Sequence, residues 1–182
     1  MTNENPIIPV PQNFNVTENF GELIIEFNWS RLTGAILFIF SLIWNSFIVF
    51  ILSVMPAEVR FFIIIHAAVG LFLFYYGLCN LLNKTTITCY NETLKLKSGP
   101  LPAFNNKTIA KADINQLYFT ERVNRGKNGT TLNYRLHMLN NNNRSITLIK
   151  TLPDPEAARF IESKLEKFFK IKDAPVAGEY GK

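Results

Sequence analysis

From Leu32 to Met55 the chain runs for 24 residues, LTGAILFIFSLIWNSFIVFILSVM, without a charged side chain. At about 1.5 Å of rise per residue, a helix of this length exceeds a hydrocarbon core of roughly 30 Å and can span it with tilt. Phe61 to Leu82 is a second apolar run of 22 residues, and PAEVR lies between the two. Pro56 ends the first helix, and Glu58 and Arg60 hold the turn among the headgroups. So short a connection predicts an antiparallel transmembrane helical hairpin over residues 31–83, with helices at 31–55 and 60–82. Two buried helices of a soluble bundle would each need a polar face, and neither run has one.

Near Lys84 the period changes to two. TTITCYN places Ile87 and Cys89 on one face, and ETLKLKSG places Leu94 and Leu96 on one face with Lys95 and Lys97 opposite. YNET between them reads as a tight turn. SGPLPAFNN is a loop, because Gly99 and two prolines bar strand continuation. KTIAKADI and NQLYFTERV read as further strands. Asn128-Gly129 signals a hairpin into LNYRLHMLN, and NNNR turns the chain into SITLIKTL. These are six antiparallel strands. The period then changes to that of a helix, predicted over 154–171, with Asp154 as N-cap and Pro155 at its first position. Ala157, Ile161, Leu165 and Phe168 form its apolar stripe, and Glu166 and Lys170 pair on the wet face. Before the membrane, residues 22–30 alternate as a strand able to join or flank this sheet. Residues 1–21 read as a flexible N-terminus and 173–182 as a tail.

Charge orients the hairpin. Residues 83–182 hold 17 Lys and Arg against nine acids, whereas residues 1–31 hold four Glu and one Arg. The positive segment starts where the second span ends, so both termini are expected in the cytoplasm. This also accounts for the basic pI without nucleic acid, and no nucleic-acid partner is expected. Trp29 and Phe27 suit an interfacial anchor, with Arg31 and Lys84 snorkelling at that level. No secretory signal is expected, since the first 30 residues lack a basic n-region and the apolar run starts late. Lipidation motifs are absent as well. Seven Asn-x-Ser/Thr sequons read as the composition of an Asn-rich chain.

Three polar groups fall within the spans. Ser41 and Asn45 share a helix face, with Asn45 roughly level with Gly70 and His66 level with Val49. Ala67, Gly70 and Gly77 permit close helix approach. His66 has two readings: a proton relay or haem ligand, as intramembrane ionisable groups often are, or a neutral side chain bonding across the hairpin or between protomers. No acid at depth and no second membrane His supports the first. Cys79 and Cys89 are too few and too far apart for a metal or disulfide framework. No cofactor and no metal site are expected.

Residues 85–171 resemble a bacterial pleckstrin-homology-like domain, on TLKLKSG followed by KTIAKADINQLYF and on ITLIKTLPDPEAARFIESKL. A membrane hairpin just before such a domain is also a habit of that family. The resemblance implies an α+β chain: the two-helix hairpin, then at 84–172 a small antiparallel barrel of about seven strands capped by the C-terminal helix. Six strands follow the membrane, so 22–29 is the candidate seventh. It further implies a bacterial plasma membrane and an interaction or scaffold role without catalysis, with a homo-oligomer or another membrane protein as partner besides the bilayer. Eukaryotic relatives often bind phosphoinositides through a basic first hairpin loop, but here that loop is YNET. The basic residues Arg122, Arg125 and Lys127 cluster in another loop, and Lys95 and Lys97 line a strand. They are the candidate contacts for anionic lipid or a partner, against the plain reading of a solvated hairpin tip. An accessory role in a membrane enzyme or transporter, using His66, is the remaining alternative. No nucleotide loop, GxSxG, HExxH or paired-carboxylate motif is present. Because the first strand begins at Thr85, less than about 10 Å of slack separates it from the span. That predicts a domain held against the bilayer.

Overall fold

A computed structural model describes residues 9–56, 60–103, 105–126 and 129–181. The first eight residues, Glu58 of the interhelical loop, and Lys127 and Asn128 of the expected hairpin tip lie outside them. The chain is α+β, with three helices and antiparallel strands in two sheets. It divides into two compact units: Asn28–Thr85 with Ser98–Asn105, and Met1–Phe27 with Thr86–Lys97 and Asn106–Lys182.

The first unit holds α1 (Arg31–Val54) and α2 (Arg60–Leu82). Ser30 caps α1, its Oγ accepting from the Thr33 N–H at 3.4 Å. The two helices are long and apolar enough to cross a membrane. They pack antiparallel, Gly34 against Asn80 and Leu81, Phe38 against Gly77, and Asn45 against Gly70. Two of these contacts depend on glycine. A Cβ on Gly34 would lie 2.8 Å from the Leu81 nitrogen, and one on Gly77 would lie 2.9 Å from the Phe38 nitrogen. Both obstacles are backbone, which cannot swing away. Away from this seam the helices expose apolar side chains such as Ile36, Ile43, Val49, Ile65 and Phe72. An exposed apolar surface of this extent marks contact with a membrane or with another protein.

The second unit holds the sheets and α3 (Pro155–Phe169). The five-stranded sheet has the order β1 (Phe14–Asn19), β2 (Glu22–Asn28), β3 (Lys84–Tyr90), β4 (Thr93–Gly99) and β5 (Lys107–Ala110). The hairpin of helices is thus inserted between neighbouring strands, β2 and β3. Residues 14–19, read from sequence as part of a flexible N-terminus, form β1 instead. Phe14 stacks on Phe27 at 4.9 Å and meets the edge of Phe160 at 6.0 Å, which anchors a strand whose other residues are mostly polar and exposed. Asn91 and Glu92 both take positive φ, 45° and 56°, as a two-residue turn of the I′ type requires.

The second sheet is β6 (Gln116–Gly126), β7 (Gly129–Leu139) and β8 (Ser145–Leu152). His137 pairs with Thr147 while Leu136 pairs with Ile149, so Leu148 is an extra residue. This bulge lets Leu148 and Ile149 both enter the core. The expected barrel is not closed: the described strands make two separate sheets. β5 is only four residues long and is stopped by a 3₁₀ turn at Lys111–Asp113, so it ends one sheet without carrying the ladder into the next.

α3 closes the core. Asp154 Oδ1 accepts from the Ala157 N–H at 2.6 Å, and Pro155 follows the cap. The buried face is wider than the four-residue stripe: Ala158, Phe160 and Phe169 join Ala157, Ile161 and Leu165 against Ile25, Ile87, Leu94, Leu117 and Leu136. Each large apolar side chain so buried contributes roughly 1.5–3 kcal/mol. Glu166 accepts from Gln116 Nε2 at 3.1 Å, and Lys170 is the left-handed C-cap. The tail also belongs to the core: Tyr180 donates its N–H to the Phe119 carbonyl at 2.9 Å and packs on Phe119 and Tyr134.

Gly77→Leu should lower the stability of the hairpin by about 1–3 kcal/mol through overpacking against α1. Thermal unfolding of the full chain in detergent checks this, with Ile43→Ala on the outward face expected to change little.

Candidate functional site

β5 is the last strand of its sheet, and β8 is the last strand of the other. Between these two edges lies an open groove of about 560 Å³, lined by Lys107, Thr108, Ile109 and Asp113 on one side and by Met138, Asn140, Asn142 and Ile146 on the other. Lys107 bridges it: its Nζ donates to the Thr147 carbonyl of β8. A side chain thus takes a carbonyl that a neighbouring strand would otherwise use. Burial, and secondly the charge of Lys150, lower the pKa of Lys107. The Asn-rich turn is ordered by its own amides. Asn140 Oδ1 accepts from the backbone N–H of Asn142 and Arg144 at 3.0 and 2.8 Å. Asn141 Nδ2 donates to the Ala112 carbonyl at 2.8 Å and ties the turn to the 3₁₀ segment.

A second concavity, of about 400 Å³, lies on the outer face of β3, β4 and β5. Thr86, Thr88, Lys95, Lys97, Lys107 and Thr108 line it. Lys95 and Lys97 are exposed, as the period-two pattern required. Glu26 of β2 takes the Thr86 hydroxyl at 3.2 Å at the margin of this face. Lysines and hydroxyls together suit anionic ligands.

Arg122 and Arg125 stand elsewhere, exposed on the outer half of β6 opposite Asn133 and Thr130. They belong to a different sheet from Lys95 and Lys97, and Lys127 lies outside the described residues. The four described basic candidates therefore form two separate groups, Lys95 with Lys97 and Arg122 with Arg125. Lys107, which joins the two concavities, was missed by the sequence reading; its place at the start of a short edge strand is visible only once β5 is paired.

The polar groups of the helices are satisfied locally. Ser41 is buried and donates to the Phe38 carbonyl at 2.7 Å, and Asn45 Nδ2 donates to the Ser41 carbonyl at 2.7 Å. Trp44 makes a bond across the hairpin, its Nε1 donating to the His66 carbonyl at 3.2 Å. The His66 side chain is exposed, with its ring 6.0 Å from that of Trp44. It lies six residues into α2, about 9 Å from the helix start, and among the described residues no hydrogen bond joins it to Ser41 or Asn45.

His137, without a visible partner in sequence, has two. Nε2 meets Thr120 Oγ1 at 3.0 Å and Nδ1 meets Thr147 Oγ1 at 3.2 Å, while Tyr118 stacks on the ring at 5.2 Å. Burial, and then the charge of Arg135, lower its pKa. Glu121 accepts from the Tyr134 hydroxyl at 2.9 Å, and burial followed by this carboxylate pushes the Tyr134 phenol up to about 12. Among the described residues no three His, Cys, Asp or Glu side chains group to hold a metal ion. No family model matches the chain, and no curated protein matches it either.

The lowered pKa of His137 sets a sign for stability. The unfolded chain takes up the proton near pH 6.5, while the folded chain resists it. Stability should fall as pH drops below about 6.5 and level off once the folded His137 is also charged. Thermal unfolding of the full chain in detergent between pH 8 and 5 should show this decline, and His137→Gln should flatten it.

Proposed function

We propose that the chain is a membrane-anchored interaction module with no catalytic role. In this reading the helical hairpin crosses a bacterial plasma membrane with both termini in the cytoplasm, and the β unit is a pleckstrin-homology-like domain. That resemblance is supported by four consecutive strands, β2 to β5, in one sheet, three in the next, and a helix after the last. The inward orientation is supported by the surplus of Lys and Arg after residue 83.

The observation that carries the reading is the β5 edge. The β6 edge is occupied by the Tyr180 N–H, whereas β5 and β8 face an open groove crossed by one lysine. An extended polypeptide could add its backbone alongside β5. Lys107, with Lys150, Lys95 and Lys97 nearby in the same unit, favours an acidic segment as the occupant. The lysine- and threonine-lined outer face of β3 to β5 supports a second reading, contact with anionic lipid. The exposure of His66 and its place near the start of α2 weigh against a relay role.

A photo-crosslinking residue at exposed Thr108, in native membranes, should capture a polypeptide, whereas one at Thr130 on the hairpin tip should not. Lys107→Glu should reduce capture at least tenfold. Equal yields at both positions, or yields indifferent to Lys107→Glu, would refute the edge as the working surface. A fall in co-purified anionic lipid in the Lys95→Glu, Lys97→Glu double variant, with crosslinking unchanged, would favour the lipid reading.

A further inference from the structure

The loop between β4 and β5 carries four successive apolar residues, Pro100, Leu101, Pro102 and Ala103. It belongs to the same compact unit as the helical hairpin, not to the β unit that flanks it in sequence. The reason is a set of hydrogen bonds. Asn83, just after α2, clamps Leu101 from both sides: Oδ1 accepts the Leu101 N–H at 2.7 Å and Nδ2 donates to the Leu101 carbonyl at 3.1 Å. Further down α2, the Tyr75 hydroxyl donates to the Pro102 carbonyl at 2.8 Å. Tyr75 lies seven residues before Leu82, about 10 Å below the helix end, and within the candidate span Ile63–Leu82.

At Leu101 and Pro102, the middle of this loop, the backbone has nothing left to offer water. Pro100 and Pro102 have no N–H. The Leu101 N–H, the Leu101 carbonyl and the Pro102 carbonyl each have a protein partner. This is the condition that irregular backbone must meet at membrane depth, where an unpaired polar group costs several kcal/mol. The side chains of Pro100 and Pro102 are nevertheless exposed. Apolar side chains, a backbone satisfied at Leu101 and Pro102, and a tie to a tyrosine inside the span all point the same way.

We infer that Pro100–Ala103 is a third membrane contact, a wedge seated at the headgroup–acyl boundary of the leaflet from which α2 emerges. This rests on the reading of α1 and α2 as membrane-spanning. The partner is the lipid of the protein's own bilayer, engaged by a loop and not by a helix. Tyr75 acts as the positioning residue, since its hydroxyl holds the Pro102 carbonyl at that depth.

The test uses the full chain in nanodiscs, with Cys79→Ala and Cys89→Ala removing the two buried native thiols. Nitroxide labels are placed singly through Pro100→Cys, Pro102→Cys, Ile43→Cys and Asn142→Cys, and collision with oxygen and with a water-soluble nickel chelate is measured. Ile43 is mid-helix and outward-facing, and Asn142 is in an exposed turn. Labels at positions 100 and 102 should fall between the two references, with oxygen favoured over the chelate. Tyr75→Phe should raise chelate access at position 102 and leave Ile43 unchanged. Chelate access at 100 and 102 equal to that at 142, with the Ile43 label in lipid, would overturn the wedge alone. A water-exposed Ile43 label would overturn it together with the membrane-spanning reading beneath it.

Discussion

Asn83 has to reconcile two backbones, and the region around it depends on how it does so. It is the residue at which α2 stops and β3 begins, it is 1% exposed, and each of its hydrogen-bonding groups has a protein partner. Its N–H closes the last helical turn on Cys79 at 2.9 Å, and its carbonyl accepts the Trp29 N–H at 3.3 Å just ahead of α1. Its side-chain amide takes both polar groups of Leu101. Beside it, Trp29 Nε1 donates to Thr85 Oγ1 at 2.9 Å, and Thr85 meets Ser98 at 3.3 Å. A helix end buried without partners would cost about 1–3 kcal/mol per orphaned group. Here one asparagine serves the chain leaving α2, the chain approaching α1 and the loop after β4.

This arrangement explains an otherwise odd topology. A hairpin of two apolar helices has been inserted between two neighbouring strands of one sheet with almost no linker on either side. β2 ends at Asn28 and α1 starts at Arg31; α2 ends at Leu82 and β3 starts at Lys84. Such short connections work only if the helix ends and strand ends satisfy each other's polar groups. The same economy suits the proposed role. In that role the binding surface is an edge that the β unit already presents, β5 with Lys107.

Much of the architecture was legible because strong local signals agreed. Uncharged runs marked both helices, Asp154-Pro155 marked the start of α3, and period-two alternation marked β3, β4 and β7. What was hidden depended on distant partners. FNVTEN carries little apolar pattern, and β1 forms because Phe14 finds Phe27 and Phe160. Two open sheets in place of a closed barrel follow from the shortness of β5, which no periodicity reports. Asn83 looked like one sequon among seven, and PLPA looked like an ordinary proline loop. Only the fold brings the asparagine to Leu101 and the loop to Tyr75. The basic candidates Lys95 and Arg122 were equally visible, but sequence could not show that they sit on different sheets.

The amide of Leu101 tests the clamp most directly. Hydrogen exchange on the full chain in nanodiscs should find it as protected as the amides of β4, because it is bonded to a buried side chain, and Asn83→Ala should release it. Exchange of the Leu101 amide at the rate of exposed Asn141 in the native chain would contradict the clamp, and with it the placement of the loop against α2.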